Sequence, residues 1–202
     1  MQVNQDLPEQ RKKQILSAAL KVLSEKGYEQ SRMDDIVEES ELSKGAIYWY
    51  YKSKEEVYLS LVDYWFLQYS EGVIEAMQEK KLASEKLKAL FDFFLDQFKK
   101  NSSVFKVLVE FWRLAGISTS FNLKLQKVYS EFLDYVIYII DSGVSNGEFK
   151  NVNPRITALS IVINIEGMNW FTLFKKSGVD AKDYIDTISN FILNGLKKKE
   201  YK

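Results

Sequence analysis

Residues 31–56 read SRMDDIVEESELSKGAIYWYYKSKEE and contain the pattern that decides the fold. Ser31 and Ser43 each precede a short apolar-patterned segment, where a serine hydroxyl can accept a hydrogen bond from a free N–H at a helix start. Only residues 40–42 separate the two predicted helices, and residues 9–26 predict a further helix before them. Two helices joined by a tight turn, the second short and capped, are typical of a helix-turn-helix.

The second helix of such a motif lies in the major groove of DNA, with its first residues near the base edges. Lys44 can donate to guanine, Ala46 can pack on a thymine methyl, and Gly45 would let the backbone approach DNA closely. Hydroxyl and cationic side chains nearby can bind phosphates. The predicted DNA contacts are Ser31, Arg32, Ser43, Lys44, Gly45, Ala46, Tyr48, Trp49, Tyr50 and Lys54.

Each of these residues also has a purely structural interpretation. Ser43 can be no more than a helix cap, and Lys44 an ordinary solvated lysine. The aromatic residues at 48–51 can be core, which we expect for Tyr51. The ordered set is more specific than any one member.

Composition excludes several classes of function. The chain contains no Cys and no His, so thiolate and imidazole metal sites, Cys nucleophiles and His bases are absent. We therefore expect no enzyme activity, no cofactor and no metal. The most apolar stretch, residues 158–174, is shorter than the ~20 residues of a membrane-spanning helix and contains polar side chains. It predicts a buried helix in a cytoplasmic protein that does not contact a membrane.

The remainder of the chain predicts longer helices and an all-α fold, with helices at 54–80, 84–99, 102–115, 119–145, 154–176 and 180–199. We divide the chain into a helix-turn-helix DNA-binding domain, residues 1–53, and a larger helical ligand-binding and dimerisation domain, residues 54–202. Ser53, Asn153 and Asp180 stand where helix starts need caps.

Residues 32–58 resemble the TetR/AcrR family of bacterial transcriptional regulators. The positions that match its pattern are Ser43, Gly45, Ile47, Tyr48, Tyr50, Ser53, Lys54 and Glu55, preceded by Ala19, Leu23, Gly27 and Tyr28 of the first helix. The turn departs from the family, which has Ala-Gly where this chain has Ser40 and Glu41; a side chain in a left-handed turn costs on the order of 1 kcal/mol. Trp49 and Tyr51 also differ from the usual residues.

The resemblance bears on the charge balance of the predicted DNA-binding domain. Residues 1–54 contain nine Lys/Arg and nine Asp/Glu, whereas DNA-binding domains often carry a basic excess. A family member needs only a few directed contacts, so we expect the acidic residues Asp34, Asp35, Glu38 and Glu39 to face largely away from DNA.

The resemblance implies a homodimer built from the last two helices, and the apolar character of residues 154–176 agrees, because a helix that is apolar on all sides must be covered on all sides. The predicted dimer residues are Ile163, Phe174, Tyr184, Ile188, Phe191 and Ile192. A monomeric bundle is the alternative.

An effector pocket, mostly apolar with a few polar groups, is predicted among the middle helices. Its candidate residues are Trp65, Tyr69, Phe98, Phe105, Trp112, Arg113, Asn164, Glu166 and Trp170. The spacing of Glu166, Asn169 and Trp170 predicts that they share a helix face. The aromatic residues can instead be core, Glu110 and Arg113 an ion pair, and Asn164 and Glu166 partners across a dimer.

These observations predict a repressor that a small apolar, aromatic or fatty-acyl effector releases from a palindromic operator. Its partners would be double-stranded operator DNA, a second copy of the chain and the effector. The alternative is a DNA-binding regulator that needs no ligand and acts through protein partners.

Overall fold

The computed structural model describes residues 6–174 and 178–198, which are almost entirely helical and contain no β-strand in those ranges. The chain forms two compact units. Unit 1 comprises residues up to Leu67 together with Lys106–Leu125, and unit 2 comprises Gln68–Phe105 together with the residues from Gln126 onwards. The predicted all-α class, with a helix-turn-helix at the N-terminal end and further helices after it, is confirmed.

Unit 1 contains the helix-turn-helix in the predicted place. Its first helices are α1 (Asp6–Gln30), α2 (Met33–Ser40) and α3 (Lys44–Tyr50), followed by the start of α4 (Lys54–Met77). Gly27 has a left-handed φ of 69°, but one more helical turn follows it, so α1 reaches Gln30 rather than ending at residue 26. Ser53 accepts from the backbone N–H of Glu56 at 3.2 Å, which confirms it as the cap of α4.

Ser31 does not cap α2, contrary to the prediction. Its hydroxyl donates to the carbonyl of Tyr28 at 2.8 Å, and the residue that precedes α2 is Arg32. The carboxylate of Asp35 accepts from the Arg32 N–H at 2.6 Å. An acidic side chain three residues into the helix thus provides the cap that the serine was expected to provide.

The apolar faces of the first helices meet in one core. Ile15, Ala19, Ile36 and Ile47 are completely buried, one or more from each of α1, α2 and α3. Tyr51 is buried as expected. Burying side chains of this size contributes about 1.5–3 kcal/mol each, and this core sets the direction in which α3 presents its other face.

Unit 2 is built from the rest of α4, α5 (Ala83–Lys100), the start of α6 (Ser102–Ile117), most of α7 (Thr119–Ser145), α8 (Pro154–Glu166), α9 (Trp170–Leu173) and α10 (Ala181–Leu196). Asn153 and Asp180 cap α8 and α10, because their side chains accept from the N–H groups of Ile156 and Asp183. Leu87, Phe91, Ile161 and Ile185 form part of a fully buried core.

The predicted single helix 154–176 is wrong. The chain leaves α-helical geometry after Glu166, passes through a 3-10 turn at Gly167–Asn169 and continues in α9 as far as Leu173; Lys175 and Lys176 lie outside the described residues. Asn169 donates its amide to the Glu166 carbonyl at 2.9 Å, and Gly167 is a weak helix former. The tighter turn separates two residues predicted to share a face, since Asn169 is 3% exposed and Trp170 56%.

Glu41 occupies the turn between α2 and α3 with the left-handed φ of 57°. We expect Glu41→Gly to raise the free energy of unfolding by about 0.5–1 kcal/mol, because the relief of backbone strain exceeds the added flexibility of the unfolded chain. Chemical denaturation measures this. The same substitution at the exposed helical position Glu38 should lower stability by about 1 kcal/mol; equal signs for the two variants would contradict the interpretation.

Candidate functional site

Helix α3 presents one face to the core and one outward. Ser43 accepts from the N–H of Ala46 at 3.2 Å and starts the helix, and the completely buried Ile47 anchors it. Trp49, 70% exposed, points the opposite way, and the ring of Tyr50 packs edge-on against it at 4.6 Å. Tyr48 and Ala46 are half-buried beside this face. A small helix with a fixed base and an exposed outer face is what insertion into a major groove requires.

Gly45 faces open space. A Cβ added there would meet no atom within 4 Å, and its φ is not left-handed. The protein itself therefore gives no steric reason for glycine at this position, although glycine lowers the stability of a helix.

We expect Gly45→Ala to raise protein stability by about 0.5–1 kcal/mol and yet to weaken DNA binding by about tenfold, roughly the 1.4 kcal/mol of one lost close contact. Thermal unfolding and fluorescence-polarisation binding to a duplex measure the two effects. Gly116, on α6, is equally open, so Gly116→Ala is the matched control and should leave DNA binding unchanged. If Gly45→Ala bound DNA as the wild type does, close approach at Gly45 would be ruled out.

Lys44 does not stand free at the start of α3. Its ammonium lies 2.7 Å from the carboxylate of Asp34, with both side chains exposed. The hydrogen bond to Asp34 raises the pKa of Lys44. Asp34 therefore points toward α3, the helix predicted to enter the major groove. The expectation that Asp34 faces largely away from DNA is corrected. Contact of Lys44 with a base would require exchange of this surface partner for DNA.

Many of the basic and acidic side chains in the N-terminal helices neutralise one another in ion pairs. Four lysines each lie 2.7–2.9 Å from a carboxylate, in the pairs Lys12–Glu9, Lys21–Glu39, Lys26–Asp35 and Lys44–Asp34. The pKa of Asp35 is lowered by its hydrogen bonds with Lys26 and Arg32. Among the described residues Arg11, Lys13 and Arg32 form no ion pair, so the cations available to phosphate are fewer than the composition suggests.

Lys54 is held by the protein backbone. Its ammonium donates to the carbonyls of Tyr28 and Ser31 at 2.6 and 2.9 Å and lies 4.3 Å from the centre of the Tyr28 ring. Ser31 itself is 2% exposed. The structure thus brings Lys54 and Ser31 together at the junction of α1, α2 and α4, where they position the helices. Phosphate contact by either remains a prediction, as it does for the exposed Arg32.

Arg113 lies in unit 1, where one of its ion-pair partners is three residues away in sequence and the other is 84 residues away. It donates to Glu110 at 2.9 Å and to Glu29 at 3.3 Å, so the predicted ion-pair alternative for Glu110 and Arg113 is confirmed. Glu110 also accepts from the Tyr28 N–H at 2.9 Å, next to the break at Gly27. These bonds lower the pKa of Glu110. No pattern within the sequence indicates this link, because its residues are separated by 82 positions.

The predicted effector residues do not all lie in one unit. Trp65, Trp112 and Arg113 belong to unit 1, and Tyr69, Phe98, Phe105, Asn164, Glu166 and Trp170 to unit 2. Within unit 2, Tyr69 packs against Phe93 and Phe94 at 5.9 and 5.8 Å between ring centres. Phe98 meets Phe105 at 5.2 Å. These contacts agree with aromatic core, and participation in a pocket remains a prediction.

The end of α8 holds two buried acceptor oxygens. Glu166 Oε1 and Asn169 Oδ1 have no hydrogen-bond partner among the described residues. Burial raises the pKa of Glu166 to about 7, against a lowering effect of its hydrogen bond with Tyr129. Asn164 accepts instead from the Tyr184 hydroxyl at 2.8 Å, an intrachain partner. A carboxyl group of this kind is half-protonated near neutral pH, which a plain surface glutamate is not.

One side of α8 and α9 exposes a stripe of apolar residues, which we call the α8 stripe: Ile156, Leu159 and Ile163, continued by Trp170 and Phe174. Phe191 of α10 is 74% exposed, whereas Tyr184, Ile188 and Ile192 are half-buried. By length and composition Pro154–Leu173 could cross a membrane, but the 3-10 turn interrupts it and about a third of an 18-residue window is buried within the protein. Patches of this kind mark interaction surfaces.

Comparison with known proteins gives consistent results. A family model described as bacterial regulatory proteins, tetR family, matches residues 15–61. The fatty acid metabolism regulator protein of Bacillus subtilis (strain 168) is 28% identical over 187 residues, 92% of this chain and 95% of the relative. The HTH-type transcriptional regulator QacR of Staphylococcus aureus is 25% identical over 194 residues, 93% of this chain and 98% of the relative.

A solved structure is similar over most of the chain. The transcriptional regulator FadR from Bacillus subtilis, in complex with stearoyl-CoA, superposes with a TM-score of 0.75 at 25% identity and covers 90% of this chain and 95% of its own. The similarity therefore includes the helices that follow the helix-turn-helix as well as the motif itself.

Proposed function

We propose that the chain is a DNA-binding transcriptional regulator of the tetR family, whose model matches residues 15–61, and that it is a repressor released from a palindromic operator by a small apolar, aromatic or fatty-acyl effector. The observation that carries the proposal is the outer face of α3. Gly45 and Trp49 are exposed on a helix whose other face is fixed by the buried Ile47.

A second copy of the chain would cover the α8 stripe. Ile163 is 57% exposed and Phe191 is 74% exposed. Burial of such apolar side chains against a second copy would stabilise the dimer. A two-fold dimer would place two copies of α3 one helical turn of DNA apart, which is why the operator should be palindromic. The division of labour we propose follows from this: residues 1–53 bind DNA, and residues 54–202 dimerise and bind the effector.

The proposed effector class is supported by similarity and by composition. The relative FadR was solved with stearoyl-CoA, and unit 2 is rich in aromatic side chains between α4, α5 and α6. An effector releases DNA only if it binds the DNA-free conformation more tightly than the DNA-bound one. We further propose a cytoplasmic location, where DNA and acyl-CoA are both present.

Selection of duplexes from a random library by the full-length protein tests the proposal and supplies an operator. Fluorescence polarisation with the selected duplex is then measured with stearoyl-CoA, with free coenzyme A as the control for its headgroup. We expect a palindromic consensus, and release by stearoyl-CoA but not by coenzyme A. Failure to select any sequence would refute the regulator proposal. Sequence-specific binding unaffected by stearoyl-CoA would refute the effector class, and would favour a regulator that acts through protein partners.

A further inference from the structure

An open cleft of unit 1 borders the outer face of α3. One wall is formed by Leu7, Pro8 and Arg11 of α1, and the other by Ser43, Ala46 and Trp49. Its open volume is about 520 Å³, within the range of sites that hold small ligands or parts of larger ones. The cleft is continuous with the surface proposed to enter the major groove, because Ala46 and Trp49 belong to both.

Arg11 is the cation among the residues that line this cleft; Lys13 of α1 also forms no ion pair among the described residues but lies outside the cleft. Lys12 pairs with Glu9, and Lys21 and Lys26 pair with carboxylates of α2. Arg11 forms no ion pair among the described residues. A carboxylate, Glu41, also lines the cleft, but no N···O contact of 4.0 Å or less joins the two side chains. Within the part of the chain that the structure describes, no carboxylate therefore competes with an anion for the guanidinium group.

We propose that Arg11 binds a DNA backbone phosphate in this cleft and so extends the DNA contact of α3 onto α1. The inference rests on the proposed DNA-binding function. A guanidinium group matches phosphate geometry with paired N–H donors, and phosphate contacts beside a reading helix fix its register. Leu7 and Trp49 provide apolar surface for the adjoining deoxyribose. DNA is favoured over a free anion because the cleft opens along the reading helix.

The position was not among the sequence-predicted contacts for a definite reason. Arg11 lies 32 residues before Ser43, and four other basic residues occur in the same helix, which the sequence does not distinguish. Ion pairs set Lys12, Lys21 and Lys26 apart from Arg11, and the position of Arg11 in the cleft beside α3 distinguishes it from the unpaired Lys13.

The test compares charge removal at two neighbouring positions of α1. Lys13 is exposed, unpaired among the described residues and absent from the cleft, so Lys13→Gln is the matched control for Arg11→Gln. The affinity of full-length protein for the library-selected duplex is measured across a salt series. We expect Arg11→Gln to weaken binding at low salt and to reduce the slope of log K against log salt by about 0.9 for each bound protomer. Lys13→Gln should leave the slope unchanged, and Arg11→Lys should retain it.

Phosphate-ethylation interference locates the contact. Wild type should show one interfering phosphate at the outer edge of each half-site that Arg11→Gln no longer shows. The inference would be wrong if Arg11→Gln kept the wild-type slope of log K against log salt, or if Lys13→Gln reduced that slope equally. Either result would leave the regulator proposal intact. If the wild type itself bound no duplex in a salt-dependent way, both would fall. Circular dichroism and thermal unfolding verify that each variant folds.

Discussion

Glutamate in place of Ile163 is expected to convert a dimer into a monomer and to weaken binding to a palindromic duplex by about 100-fold or more. Ile163 lies within the α8 stripe, with Ile156 and Leu159 exposed on the same side. A two-fold interface would bury the new carboxylate twice without a cationic partner, which is strongly unfavourable. A monomer carries one copy of α3 instead of two, so it loses the added affinity of binding both half-sites at once, which is about 10²–10⁴-fold.

A matched control separates dimerisation from general effects of the substitution. Ile74 on α4 is 56% exposed, almost the same as Ile163, and lies outside the α8 stripe. Ile74→Glu should keep the wild-type mass in sedimentation-velocity experiments across a concentration series, and should bind DNA normally. A monomeric wild type, or a dimeric Ile163→Glu variant, would show that the α8 stripe does not form the dimer. Circular dichroism shows whether each variant is folded.

Glutamine in place of Glu166 is expected to stabilise the protein at pH 8 by up to about 3 kcal/mol, at 1.36 kcal/mol for each pKa unit. Burial raises the pKa of Glu166 from its ordinary 4.5 to about 7. Below pH 4.5 the carboxyl group is neutral in the folded and the unfolded protein and has no effect on the pH dependence of stability. Between pH 4.5 and 7 the folded state binds more protons than the unfolded state, so stability falls as pH rises. Above pH 7 the loss is complete.

The measurement is the difference in free energy of unfolding between variant and wild type as a function of pH. For Glu166→Gln it should be near zero at pH 4, rise between pH 4.5 and 7 and then level off. Glutamine has nearly the shape of glutamate and cannot ionise, so it alters the contact with Tyr129 less than a smaller side chain would. The same substitution at the exposed Glu71 provides the control for the exchange of a carboxylate for an amide at the surface. A flat curve for Glu166→Gln would mean that the carboxyl group is hydrated in solution.

Local sequence predicted the elements that depend on neighbouring residues. Ser43, Ser53, Asn153 and Asp180 all cap helices as expected, because a cap acts on an N–H two or three residues away. The errors are also local: a carboxylate replaced Ser31 as the cap of α2, and a Gly-containing 3-10 turn broke the long apolar helix.

The candidate site was predictable only as a region of the chain. Spacing identified α3 as the reading helix, and the buried Ile47 and exposed Trp49 agree with that interpretation. It did not indicate that Lys44 would be paired with Asp34 or that Lys54 would bind two carbonyls. Ion pairing depends on which side chains approach within about 4 Å, and helix packing brings together positions that have no fixed separation in sequence.

By itself, therefore, the sequence determined the class of fold, the position of the helix-turn-helix and the start of most helices, since these follow from periodicity and from capping within a few residues. The tertiary structure alone decided which charges remain available, and in particular that Arg11 forms no ion pair among the described residues while Arg113 is held by Glu110 and Glu29. It also decided that the Oε1 atom of Glu166 is buried and the α8 stripe exposed. The physical reason is that burial and electrostatic pairing are properties of the packed chain, and only local conformational preference is encoded residue by residue.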